Sequence, residues 1–141
     1  MSEKRIAVVA HNKMKPTLLE FLKDRQEWFW GRKLVSTGLT AGFLKDNGIK
    51  ADVEQMRPGK EGGFMDLRDM VADGKIDMVL FFRDPEIFQE YEHEIIEFLK
   101  ECNRNNLPLA TNPASGELLV LGMIKKESSE RTRDRVTNLN K

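Results

Sequence analysis

The stretch Met78-Val-Leu-Phe-Phe-Arg-Asp-Pro85 constrains the fold of this chain more than any other. Five apolar residues, Met78 to Phe82, run without a break and stop at a charged pair and a proline. Strict alternation would mark a strand with one wet face. An unbroken run marks a strand buried on both faces, as in a parallel sheet with helices on either side. Asp84 then stands where the strand ends, and in open α/β sheets ligands bind outside the carboxyl ends of the strands. Asp84 is therefore a candidate site residue. Capping the turn before Pro85 is the equally simple alternative.

The rest of the chain repeats the alternation. Ile6–Ala10 reads as a first buried strand, and residues from about Pro16 to Arg25 carry Leu18, Leu19 and Leu22 at helical spacing. Lys33–Ser36 is a short second strand, and a helix of about two turns follows Thr37–Thr40 to a C-cap at Asn47-Gly48. Asp52–Met56 reads as a third, more exposed strand, and Arg57–Gly63 as the one strongly irregular loop. Helices are predicted over 64–72 and about 91–105, with the Met78 strand between them and a short last strand at 107–110. Ser115 to Ile124 starts another helix. This pattern predicts one domain over residues 1–124, an α/β fold with a central parallel sheet of about five strands between helical layers. Residues 125–141 hold many charges and almost no large apolar side chains, and read as a charged, solvated C-terminal tail with at most one marginal helix.

Composition bounds the function. With 23 Lys+Arg against 23 Asp+Glu, formal net charge is +0, so no global field steers the chain toward nucleic acid or a membrane surface. No apolar run approaches membrane-spanning length and no leader pattern is visible. A single cysteine, Cys102, cannot form an internal disulfide, and a cytoplasmic location is expected. Two histidines, His11 and His93, and one cysteine offer no visible metal set. The glycines at 59, 62 and 63 match neither the dinucleotide fingerprint nor the phosphate loop ending in Gly-Lys-Ser/Thr. Trp28 and Trp30 read as packing or interface residues.

The strand-end loops are rich in polar residues that should meet at one edge of the sheet. They carry His11, Asn12 and Lys15; Thr37, Gly38 and Thr40; Arg57 and Lys60; Arg83 and Asp84; and Thr111, Asn112 and Ser115. Thr37-Gly-Leu-Thr40, placed before a helix, suits an anion, because hydroxyls, free N–H groups and the helix dipole favour negative charge at one spot. Helix capping alone is the plainer role for Thr37 and Thr40. Taken together, the loops predict a small phosphorylated metabolite, or inorganic phosphate, as partner.

Val8–Lys15, Thr37–Thr40, Gly74–Asp77 running into Phe81–Pro85, and Pro108–Asn112 resemble the methylglyoxal synthase family in order and spacing, over roughly residues 4–122. The resemblance implies a three-layer Rossmann-like fold, removal of phosphate from dihydroxyacetone phosphate, no cofactor, and a homo-oligomer, usually a hexamer. It also marks departures. The family's His-Asp-x-x-Lys becomes His11-Asn12-x-x-Lys15, and its Thr-Gly-Thr-Thr becomes Thr37-Gly38-Leu39-Thr40. Its Gly-Gly-Asp, where the aspartate is the general base, becomes Gly62-Gly63-Phe64 at the end of a longer loop. Tyr91 and Glu94 stand where a histidine and an aspartate are expected, while Asp84 is kept. Proton abstraction beside a ketone needs a carboxylate, and phenylalanine cannot accept a proton.

Two functions follow. In a divergent lyase, His11, Asn12, Lys15, Thr37, Gly38, Thr40, Arg57 and Asn112 bind the phosphorylated substrate. Glu61 or Asp66 then takes the proton, Tyr91 polarises the carbonyl, and Asp84 completes the catalytic set. In a regulatory domain of the same fold, the phosphometabolite binds and no reaction follows.

Overall fold

The computed structural model describes residues 4–139. Five parallel strands form one sheet in the order β3-β2-β1-β4-β5: β1 Arg5–Ala10, β2 Lys33–Ser36, β3 Asp52–Gln55, β4 Ile76–Phe82 and β5 Leu109–Ala110. This is the predicted α/β sheet. The central pair is β1 and β4, in register from Ile6 opposite Met78 to Ala10 opposite Phe82. From Ile6 to Ala10 and from Met78 to Phe82 both are apolar because both faces are covered there.

The two faces sort by alternation along the central strands. Ile6, Val8, Ala10, Met78, Leu80 and Phe82 point to one side. There they meet α1 Lys15–Asp24, α2 Gln26–Phe29, α3 Gly38–Asp46 and the start of α6 Pro113–Leu139. Ala7, Val9, Val79 and Phe81 point to the other side, under α4 Gly63–Ala72 and α5 Glu92–Arg104. Helices after β1 and β2 therefore lie on one face, and those after β3 and β4 on the other. The reversal falls between β1 and β4, and the loops leaving their carboxyl ends border a crevice where open α/β sheets bind ligands.

The helix predicted to end near Ile124 runs on. Residues 125–139, expected as a charged tail, continue α6. Glu127 anchors this extension. Its carboxylate accepts from Arg32 Nη1 and Nη2 at 2.6 and 2.7 Å and from Trp28 Nε1 at 3.1 Å, while the Arg32 guanidinium lies 4.1 Å from the centre of a Trp28 ring. Trp28 and Trp30 are half-buried against the core, so much of each ring is used within the chain. No helix among the described residues is long and apolar enough to cross a membrane.

Candidate ligand-binding site

A cavity of about 400 Å³ opens at the carboxyl edge of the sheet. The end of β1 supplies Val9, Ala10 and His11, and the turn after it Asn12 and Lys15. Thr37, Leu39 and Thr40 come from the start of α3, Gly59 and Lys60 from the loop after β3, Phe64 from the start of α4, and Phe88 to Tyr91 from the segment after β4.

Two glycines let these loops close up. A Cβ on Gly38 would stand 3.0 Å from the Pro58 nitrogen and 3.2 Å from the Met56 carbonyl oxygen, so only glycine lets the 56–58 backbone lie against α3. The Gly38 N–H donates to the Arg57 carbonyl there, at 3.1 Å. A Cβ on Gly63 would collide with the Arg57 carbonyl oxygen. The third loop is thereby fixed to the second, and Phe64 enters the cavity wall.

One side of the cavity is polar. Lys15 Nζ donates to Asn12 Oδ1 at 2.6 Å, and partial burial pushes the ammonium below its ordinary range. A neutral amide does not cancel its charge. The Asp84 N–H donates to His11 Nδ1 at 2.8 Å, which leaves the proton of a neutral imidazole on Nε2. Burial, with help from Arg83, holds His11 below its usual pKa, against the opposing pull of Glu92 and Asp84. His11 Nε2 is buried and has no hydrogen-bond partner. It is a donor waiting for an acceptor. The first N–H groups of α3 have no partners within the helix, and of these Gly38 is already engaged while Leu39 and Thr40 lie at the cavity. Thr40 Oγ1 donates to the Ala10 carbonyl at 3.2 Å, tying α3 to the end of β1.

The other side is aromatic. Phe64 is 3% exposed, stacks on Tyr91 with ring centres 5.9 Å apart and planes 26° apart, and packs against Phe81 and Phe98. Burial and the neighbouring Glu92 raise the Tyr91 phenol above its usual pKa, so it stays a protonated donor at neutral pH.

Several sequence candidates stand off this cavity. Arg57 and Asp66 pair with each other. The guanidinium donates to both carboxylate oxygens at 2.9 and 2.7 Å and the Arg57 N–H adds a third contact at 3.3 Å, which holds the Asp66 carboxyl below its ordinary range. Glu61 is exposed on the 3₁₀ turn Gly59–Glu61. Asp84 is buried, and its Oδ1 accepts from the Glu86 N–H at 3.0 Å, the turn-capping role weighed from sequence. Asn112 caps α6 through the Ser115 N–H at 2.9 Å. None of Gly38, Arg57, Glu61, Asp66, Asp84 or Asn112 is among the lining residues. Leu39, Phe88, Gln89 and Glu90 line the cavity without having been singled out. The apolar pair Ile87-Phe88, in the irregular segment between β4 and α5, was the available signal. Among the described residues no group of three or more His, Cys, Asp or Glu side chains could hold a metal ion.

The MGS-like domain family matches residues 17–111. The chain belongs to that family. It is 35% identical over 116 residues to a methylglyoxal synthase of Acholeplasma laidlawii, covering 82% of this chain and 94% of that protein. It is 37% identical to one of Carboxydothermus hydrogenoformans, covering 82% and 95%. A crystal structure of methylglyoxal synthase from Elizabethkingia anophelis superposes with a TM-score of 0.76 at 28% identity, over 84% of this chain and 78% of that one. In this MGS-like domain Phe64 is part of the aromatic wall of the cavity.

Proposed function

We propose that this MGS-like domain binds the phosphate of a small phosphorylated metabolite and that any elimination of phosphate from dihydroxyacetone phosphate is strongly impaired. The observation that carries this reading is the division of the cavity. Lys15, Thr37, the His11 Nε2–H and the first-turn amides of α3 collect donors and positive charge on one side, as a phosphate requires. Phe64 stacks on Tyr91 on the other side, where a proton acceptor would have to stand. Asp66 is committed to Arg57, and Glu61 is off the wall.

A lyase reading keeps one specific support. Glu90, an exposed acidic residue next to Tyr91, is among the residues that line the cavity. General-base catalysis contributes on the order of 10²–10⁴-fold, so loss of a positioned base predicts a weak enzyme. Methylglyoxal formation from dihydroxyacetone phosphate, with binding by calorimetry, tests both readings. Phosphate binding with trace turnover that Phe64→Asp increases supports the proposal. Full turnover that falls with Glu90→Gln, Glu61→Gln or Asp66→Asn supports a relocated base instead.

A second copy of the chain is the expected partner. Leu118, Leu121 and Ile124 are exposed at helical spacing on α6, which gives a homo-oligomer an apolar face to cover. Light scattering that finds a monomer at micromolar concentration removes this part of the reading.

A further inference from the structure

We propose that the phosphorylated ligand of this cavity carries a flat aromatic body, received by the rings of Phe64, Tyr91 and Phe88 while the Lys15 side holds its phosphate. The inference rests on the phosphate-binding reading above and adds the chemistry of the rest of the ligand.

The cavity is amphipathic across its width. Its donors cluster at the ends of β1 and β2, and its rings at the start of α4 and before α5. A ligand that fills it needs an anionic end and a body that loses nothing against aromatic carbon. Hydroxyls of a sugar phosphate set against the Phe64 and Phe88 rings would meet no acceptor or donor there, Gln89, Glu90 and the Tyr91 hydroxyl being the polar groups of that side, and a hydroxyl desolvated without a partner costs affinity. An aromatic body meets the same rings by offset or edge-to-face stacking.

Phe88 is the decisive residue. At 83% it is the most exposed large apolar side chain of the described residues, yet it belongs to the cavity wall. The segment that carries it is tied down on both sides. The Glu86 N–H donates to Asp84 Oδ1 at 3.0 Å, the Gln89 N–H donates to Glu92 Oε1 at 3.1 Å, and Glu92 is itself held by Arg83 at 2.5 Å. An apolar ring is thus kept at the mouth instead of being folded under. Leu39, 59% exposed, also lines the cavity.

The wall behind is fixed as well. Gly59 lies against it so closely that a Cβ there would come within 3.0 Å of Tyr91 and 3.1 Å of Phe64. The cavity volume of about 400 Å³ falls in the range of roughly 300–1,000 Å³ typical of pockets for drug-sized ligands. There is room for a ring beside the phosphate.

Calorimetry on the full chain with inorganic phosphate, glycerol phosphate and phenyl phosphate tests the proposal. Phenyl phosphate is expected to bind about tenfold more tightly than glycerol phosphate, the scale of one good aromatic contact. Phe88→Ala, which removes no core packing, is expected to narrow that ratio severalfold, and Tyr91→Leu to narrow it further. Equal affinities, tighter glycerol phosphate, or a preference unchanged in both variants would overturn the aromatic body while leaving phosphate binding intact. If none of the three probes binds, the phosphate reading itself falls, and this inference with it.

Discussion

The two sides of the cavity are built by different physics. The side on β1 and β2 works through single polar atoms: an ammonium, an imidazole N–H, hydroxyls and helix-end amides, each positioned by a short loop or a first helical turn. The side on β3 and β4 works through ring area, with Phe64 shared between the cavity and the core beneath α4 and α5. The lesson is that substituting Lys15 on the first side should change binding while sparing the fold, and substituting Phe64 on the second should change the fold before it changes binding.

The largest expected effect is therefore on the aromatic side. Phe64→Ala should lower unfolding free energy by about 3–5 kcal/mol, the usual cost of truncating a buried phenylalanine, measured by urea denaturation. A loss under about 1 kcal/mol, the scale of a surface substitution, would show that Phe64 is a cavity residue only and would erase the contrast. Next comes Lys15→Met, which should weaken inorganic phosphate binding by about 1.5–3 kcal/mol, the value of a charge-assisted contact, with little change in stability. A destabilised variant with normal affinity would reverse the assignment of the two sides.

A pH series sharpens the comparison further. His11 is held below its unfolded pKa, so the unfolded chain binds the extra proton first. Stability from this group is fully present above an unfolded value of about 6.5 and falls as pH drops through that value toward the lower folded one. Denaturation midpoints between about pH 8 and about pH 5 should show this loss, and His11→Asn should flatten that part of the curve. The smallest effect is expected from Arg57→Met. Its guanidinium is spent on Asp66 and the Gly62 carbonyl, so phosphate affinity should stay within experimental error. A fall as large as that of Lys15→Met would put Arg57 among the phosphate ligands.

Much of the architecture was legible because the signals are local. Met78–Phe82 announces a doubly covered strand, and the leucines of α1 and the apolar face of α5 repeat at helical spacing. The grouping of His11, Lys15, Thr37 and Thr40 at one edge follows from strand direction alone. What was not legible depends on contacts between distant or irregular segments. Arg57 and Asp66 face each other because of how the 57–63 loop turns, and no periodicity predicts that. The Glu127 carboxylate meets Arg32 across 95 positions of sequence, so the helical extension of α6 looked like a tail. Phe88 sits in a stretch without regular structure, where pattern gives no direction for a side chain.

The Asp84 amide carries one more consequence. Its proton is shared with His11 Nδ1 at the end of β4, and β4 pairs with β1 along its length. For that proton to exchange with solvent deuterium, the imidazole must swing away or the central strand pair must part. Opening of the central pair is the slowest class of motion in such a domain. The exchange rate of this one amide therefore serves as a clock on the site. A rate matching the amides of Leu80 and Phe82 would mean that the imidazole is released only when the whole sheet opens. A faster rate would mean that the ring turns over within the folded protein.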